Sequence, residues 1–156
     1  MRLYHTSYTS VNKPDIHHSR AFLDFGKGFY LTSIYQQAER YGMRFLRRGS
    51  RAWLCTYDFR FKAEEWNILA FYSYNRDWLN FVSQCRAGKD TSNYDMVVGG
   101  IANDRVIQTL DRFFLGELSG DETLGLLKYE KPNIQYCIRS QQMIDRCLTF
   151  INSIEL

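Results

Sequence analysis

The sequence is poor in residues that mark several specialised classes of protein. It has 156 residues, with only two prolines and four cysteines, and no run of about 18 apolar residues such as a membrane-spanning helix needs. The cysteines form no CxxC pair and have no histidine at ligand spacing, which argues against zinc. We therefore expect no metal, no membrane association and, since the N-terminus resembles no signal peptide, a cytoplasmic protein with free thiols.

The charge balance excludes a strongly basic protein. The formal net charge is +3, well short of the clustered charge of a dedicated nucleic-acid-binding protein. A solvated helix face is the commoner interpretation of the densest basic stretch, and a phosphate-binding surface is the alternative. That stretch contains Arg40, Arg44, Arg47, Arg48 and Arg51.

Aromatic residues are abundant, with 11 tyrosines and 11 phenylalanines, which suits a β-rich core or a cleft lined with rings. Strand and helix patterns follow one another without steady βαβ alternation, so we predict an α+β fold in one domain spanning residues 1–156. The predicted strands are 2–6, 29–32, 51–61, 94–100 and 134–138. The predicted helices are a short one near 17–23, then 35–47, 75–87, one from Asn103 or Asp104, 119–127, and a last one capped by Ser140 that buries Ile151.

Few side chains indicate chemistry by themselves. His5 lies in the first strand, where a lone histidine is more often structural than functional. The turn Gly26-Lys27-Gly28 lacks the spacing of a phosphate-binding P-loop, and Gly99-Gly100 lacks that of a dinucleotide fingerprint. No GxSxG or HExxH motif occurs. The residues alone therefore predict an α+β domain with a candidate site near its first two strands.

Two N-terminal segments, Leu3-Tyr4-His5 and the FGKGFYL run of residues 25–31, form a recognisable pair. They resemble the first two motifs of the ADP-ribosyltransferase superfamily, in its diphtheria-toxin and poly(ADP-ribose)-polymerase branch. Nearly the whole chain is also similar to a bacterial family placed in that superfamily. The resemblance implies an ADP-ribosyltransferase-like fold, with a split mixed or antiparallel β-sheet flanked by helices, and NAD as substrate without a metal.

The resemblance assigns roles to individual residues. His5 would hydrogen-bond an NAD ribose hydroxyl, and the backbone of Thr6 would hold the nicotinamide amide. Tyr30 and Tyr41 would line the nicotinamide pocket from two sides and stabilise the cationic ring through their π faces. The resemblance thus implies that His5 and Tyr30 are catalytic as well as cofactor-binding.

Three further residues complete the implied site. Arg20 would bind the pyrophosphate, and Gly28 would lie in the turn beside the cofactor. Gln135 occupies the third motif position and is the remaining catalytic candidate, although the branch usually has glutamate there. Glutamine keeps the hydrogen bond to a ribose hydroxyl but loses the negative charge, a change that typically costs about 10²–10³ in rate.

The implied activity is mono-ADP-ribosylation of a bacterial macromolecule, either protein or nucleic acid, by a toxin or defence effector with an antitoxin protein as partner. The missing glutamate supports the alternative of a weak or inactive module that binds NAD, ADP-ribose or a protein. A third interpretation is an NAD glycohydrolase, which uses water as acceptor. Asp95, Asp104 and Glu130 are carboxylates that would supply the missing charge from elsewhere.

Overall fold

A computed structural model describes all 156 residues, and they form a mixed sheet of seven strands flanked by five helices. The predicted α+β class is confirmed. The strands are β1 (Arg2–Ser7), β2 (Phe29–Thr32), β3 (Trp53–Phe59), β4 (Ile68–Ala70), β5 (Met96–Ile101), β6 (Asn133–Ile138) and β7 (Leu148–Glu155). The helices are α1 (Tyr35–Arg47), α2 (Arg76–Arg86), α3 (Asp104–Phe114), α4 (Gly120–Leu127) and α5 (Gln141–Cys147).

The strands lie in the order β4-β5-β6-β2-β1-β3-β7. Only β4 and β5 run parallel, and every other neighbouring pair is antiparallel. One apolar cluster packs beneath α2, α3 and α4, and a second packs on the other face of the sheet beneath α5. Helix α1 lies on the first of these faces, where the hydroxyl of Thr6 donates to the carbonyl of Ala38 at 2.8 Å.

The sheet is nearly divided between its two central strands. β1 is paired with β3 along its whole length, and β2 is paired in the same way with β6. Between β1 and β2, however, Tyr4 opposite Thr32 is the only register pair. The sheet therefore consists of two well-paired halves, β4-β5-β6-β2 and β1-β3-β7, with a gap between them.

Side-chain caps begin most of the helices where the sequence predicts them. Asn75 caps α2, Asn103 caps α3, and Ser119 forms a capping box with Glu122 at the start of α4. None of the helices is both long and apolar enough to cross a membrane.

Helix α1 has the predicted bounds but a different start. The sequence suggests Thr32 or Ser33 as its cap, whereas Ile34 takes that position and makes no side-chain capping bond. The hydroxyl of Thr32 accepts from the backbone of Ile34 at 3.1 Å and donates to Gln37 at 2.9 Å. Thr32 therefore orders the start of the helix from two residues before the cap.

Two predicted helices are wrong in extent. The last helix ends at Cys147, and the chain continues as β7, where Ile151 is 40% exposed instead of buried. Residues 148–151 are rich in β-branched and aromatic side chains, and pairing with the free edge of β3 overrides their helical spacing. The helix expected near 17–23 is only a 3₁₀ turn over Ile16–His18. The segment 64–69, which the pattern leaves ambiguous, contains a 3₁₀ turn and β4.

We expect Gly28→Ala to destabilise the protein by about 1–3 kcal/mol, because it overpacks the contact between β2 and β6. A Cβ at Gly28 would lie 2.5 Å from Cys137 Sγ and 2.7 Å from the backbone oxygen of Ile138. Urea unfolding measures the effect. Gly125→Ala on α4 is the matched control, since its Cβ meets nothing within 4 Å and the helix gains about 0.5–1 kcal/mol. Equal unfolding free energies for the two variants would contradict this packing argument.

Candidate functional site

The side chain of His5 joins the two halves of the sheet across the gap. Its Nδ1 lies 2.8 Å from the backbone oxygen of Tyr30. A carbonyl oxygen only accepts hydrogen bonds, so Nδ1 carries the proton and donates it. Nε2 is then a bare acceptor, and it has no hydrogen-bond partner in the protein. Burial lowers the pKa of His5 and so favours the neutral ring. The hydrogen bond to Tyr30 raises the pKa, but its effect is smaller.

The phenol of Tyr30 closes the turn that precedes β2. Its hydroxyl donates to the backbone oxygen of Gly26 at 2.6 Å and accepts from the backbone N–H of Phe25 at 3.1 Å. The rings of Tyr30 and Phe25 stack with centroids 6.4 Å apart. Burial, reinforced by the neighbouring thiol of Cys137, raises the pKa of Tyr30 far above its usual value. Tyr30 therefore stays protonated and supports the turn with both its ring and its hydroxyl.

The same turn is fixed to the rest of the protein by Asp24. This carboxylate accepts from Arg86 Nε at 2.7 Å and from the backbone N–H of Ala102 at 3.2 Å. The turn is thereby tied to the end of α2 and to the start of α3.

Arg20 and Gly28 lie at the other end of the turn. The backbone N–H of Gly28 donates to the hydroxyl of Ser19 at 2.9 Å, which holds the preceding loop against β2. Arg20 is exposed and forms no ion pair. Its guanidinium is therefore available to an anionic ligand beside the turn.

Gln135 lies on β6 directly opposite Thr32 of β2. Side chains alternate between the faces of a strand, so Gln135 shares its face with Thr32 and Tyr30. The amide of Gln135 makes no hydrogen bond within the protein and is half-buried. His5, Tyr30 and Gln135 thus come from neighbouring strands. Tyr30 and Gln135 lie on the face that α1 also covers.

A row of polar and aromatic side chains lies on this face beside α1. Gln37 bonds to Thr32, and Tyr41 and Arg44 follow it at spacings that place all three on one side of the helix. At the far end, Arg44 donates to Asp104 at 3.1 Å, and Tyr41 is 46% exposed. We call this set of residues the α1 groove, and it comprises Thr32, Gln37, Tyr41, Arg44, Asp104 and Gln135.

The structure does not gather every predicted residue at one point. The ring of His5 lies 4.4 Å from that of Phe29, whose cluster packs against α5 on the opposite face from Gln135. Thr6 borders the gap from the β1 side, past the last register pair, and its buried hydroxyl is occupied by Ala38. The predicted site is therefore a set of groups around the gap, with the groove on one face and His5 reaching towards the other.

Sequence reasoning missed Gln37 as a member of the groove. The only signal for Gln37 in the sequence is its helical spacing with Tyr41 and Arg44. Asp104 was a candidate carboxylate, and the structure adds that it is held by Arg44 at the groove end. The other two candidate carboxylates are occupied elsewhere, Asp95 by the backbone of Asn67 and Glu130 by Arg105. No group of three or more histidine, cysteine, aspartate or glutamate side chains is arranged to hold a metal ion.

We expect Tyr30→Phe to lower the free energy of unfolding by about 1–3 kcal/mol, because it leaves the N–H of Phe25 and the carbonyl of Gly26 without their partner. Urea denaturation followed by fluorescence measures the loss. Tyr129→Phe removes a hydroxyl from a ring that is 87% exposed and serves as the control. A loss no larger than that of the control would mean that the phenol does not hold the turn.

The lowered pKa of His5 makes part of the stability depend on pH. Below about pH 6.5 the unfolded chain protonates this histidine more readily than the folded one, so the free energy of unfolding should fall as the pH drops. His5→Asn should remove that part, because its amide N–H still reaches Tyr30 without titrating. The measurement is urea unfolding of both proteins at several values between pH 8 and 5. If the free energy of unfolding depended on pH in the same way for both proteins, the lowered pKa of His5 would be contradicted.

Comparison with other proteins gives a family and no activity. Neither the curated proteins nor the solved structures contain a match to this chain. A family model described as "Protein of unknown function (DUF3990)" matches residues 1–150. That match covers nearly the whole chain, including the gap, the turn and the α1 groove. The chain therefore belongs to the DUF3990 family.

Proposed function

We propose that this protein is an NAD-dependent mono-ADP-ribosyltransferase that modifies a bacterial macromolecule. One observation carries the proposal. His5, Tyr30 and Gln135 are far apart in the chain, yet they lie on β1, β2 and β6, three consecutive strands at the centre of the sheet. Motifs that were matched separately in the sequence thus come from adjacent strands, with His5 on one face of the sheet and Tyr30 and Gln135 on the other.

The form of the sheet also supports the proposal. The resemblance implies a split mixed or antiparallel sheet flanked by helices. The observed sheet is antiparallel except for β4 and β5, and it is interrupted between β1 and β2. The interruption lies beside His5 and Thr6, the residues to which the resemblance gives contacts with the ribose and the nicotinamide amide. An ADP-ribosyltransferase-like fold is the finer interpretation of this architecture.

The groups around the gap suit the parts of NAD. The bare Nε2 of His5 is an acceptor for a ribose hydroxyl, since Nδ1 is already committed to Tyr30. Tyr41 offers an exposed ring to the cationic nicotinamide. The free guanidinium of Arg20 carries the charge that a pyrophosphate needs. These contacts would bind the dinucleotide around the gap and the turn.

The proposed reaction breaks the bond between C1 of the ribose and the nicotinamide nitrogen. The electron pair leaves with nicotinamide, and the sugar passes through an oxocarbenium-like state. A nucleophilic oxygen or nitrogen of the acceptor then adds to C1 and releases its proton. Gln135 would orient a ribose hydroxyl during this step without supplying charge. Asp104 is the carboxylate at the groove end, although Arg44 already neutralises it.

A binding module is the second candidate function, and the same site favours it in two ways. Gln135 is neutral where the resemblance expects glutamate, and the hydroxyl of Tyr30 is fully used within the turn. Such a module would hold NAD, ADP-ribose or a protein partner without breaking a bond. For both the transferase and the binding module, we propose a cytoplasmic location. We also propose a protein partner, such as an antitoxin, for both.

The decisive measurement is release of nicotinamide from labelled NAD, with transfer of the label to cell lysate. We expect slow release by the wild type and loss of release in His5→Asn, which keeps the bond to Tyr30 but removes the Nε2 acceptor. Gln135→Glu should raise the rate by about 10²–10³, because it restores a charge beside the developing cation. Gln142→Glu adds the same charge at an exposed position on α5 and should change nothing.

The outcomes separate the candidates. Release that is unaffected by His5→Asn and Gln135→Glu would overturn the proposed site. NAD binding detected by calorimetry without release from the wild type or Gln135→Glu would favour the binding module. Release without labelling of any macromolecule would make the protein an NAD glycohydrolase.

A further inference from the structure

Arginine side chains converge on a shallow hollow at the end of α1. The hollow has a volume of about 350 Å³ and is lined by Arg44, Arg47, Arg48 and Asp104. Arg40 and Arg51 extend the positive surface on either side of it along the chain. We call this surface the arginine face and define it by Arg40, Arg44, Arg47, Arg48 and Arg51.

The acidic groups nearby do not neutralise the arginine face. Arg44 is paired with Asp104, and Arg51 forms two bonds to Glu155 at 2.6 and 2.9 Å. Arg47 and Arg48 form no ion pair, although both are exposed beside the hollow. Two unpaired guanidiniums therefore remain within one surface depression, where repulsion between like charges makes an anionic ligand favourable.

A purely structural role explains only part of this surface. Cations in the last turn of a helix offset the negative end of its dipole, which accounts for Arg44 and Arg47. Arg48 lies at the C-cap and Arg51 beyond the helix, and neither is needed for that purpose. Nor does the dipole explain why three guanidiniums line the same hollow. Guanidinium groups bind phosphate oxygens in a forked geometry, so a phosphate ligand fits the arrangement.

Aromatic rings lie among the arginines. The guanidinium of Arg44 lies 5.5 Å from the centroid of Tyr41, and that of Arg51 lies 5.3 Å from the centroid of Trp53. Tyr41 is 46% exposed and meets Phe45 edge to face. A surface that alternates cations with accessible rings is typical of proteins that bind single-stranded nucleic acids, because unpaired bases stack on the rings.

We infer that the arginine face binds single-stranded nucleic acid, with Arg47 and Arg48 on the phosphates and Tyr41 stacking on a base. Arg44 belongs to both the arginine face and the α1 groove, and Tyr41 of the groove lies beside it, so a bound strand would pass the proposed site. That the strand is the acceptor of ADP-ribose rests on the proposed function. Binding of the strand does not, and it is tested without NAD.

The experiment is fluorescence anisotropy with a labelled mixed-sequence 20-nucleotide strand, as single-stranded DNA, as single-stranded RNA and as duplex DNA, between 50 and 200 mM salt. Binding by the wild type should weaken as salt rises. Arg47→Gln/Arg48→Gln should reduce the slope of log affinity against log salt by about 1.4, which corresponds to about 0.7 for each phosphate that an arginine no longer neutralises. Lys128→Gln/Lys131→Gln removes the same charge from exposed positions elsewhere and should leave the slope unchanged.

A second variant tests stacking. Tyr41→Ala should weaken binding by about 5- to 150-fold with little change in the salt slope. Tyr129→Ala, at a ring that is 87% exposed, is its control. The altered side chains are exposed, and circular dichroism checks that each variant is folded.

Four results would overturn the inference. They are no binding by the wild type at 50 mM salt, equal effects of the arginine and lysine pairs, equal effects of Tyr41→Ala and Tyr129→Ala, and preference for duplex over single strand. Binding without nicotinamide release would leave the arginine face intact and remove the transferase proposal. Release without binding would do the reverse.

Discussion

The hydrogen bond from His5 to the carbonyl of Tyr30 is the interaction on which the centre of this protein depends. A β-sheet normally satisfies its backbone groups strand by strand, and an interrupted ladder leaves polar groups that must find other partners. Here an imidazole takes that place. The bond joins two halves of a sheet that share a single register pair, and it also fixes which nitrogen of His5 is free. One interaction thereby stabilises the junction of the two halves and leaves Nε2 as a free acceptor.

The order around that bond extends outward through the turn. Tyr30 holds Phe25 and Gly26, and Asp24 in the same turn connects to α2 and α3. The turn is therefore held in place by elements from the middle of the chain, which fixes its position beside the gap. On the other side of the gap, Thr6 attaches α1 to β1, so the helix that carries Tyr41 is fixed to the opposite half of the sheet.

Local signals in the sequence predicted most elements, because caps and alternation act over a few residues. Asn75, Asn103 and Ser119 began their helices as expected. The strand β7 was missed because residues 148–151 fit a helical spacing, and only the distant edge of β3 decides between the two forms. The α1 groove could not be predicted for the same reason, because it depends on contacts between distant parts of the chain. Nothing near Asp104 in the sequence indicates that Arg44 meets it, since that contact depends on how α1 and α3 pack.

The position of β2 between β1 and β6 has a consequence for how the site comes into being. β2 holds its full ladder with β6, which lies late in the chain, and almost none with β1, which lies just before it. Pairing across such a sequence separation is slow because a long loop must close first. An N-terminal fragment on the ribosome therefore carries both early motifs without an assembled site. The arrangement of strands around the gap is completed only after β6 has been synthesised.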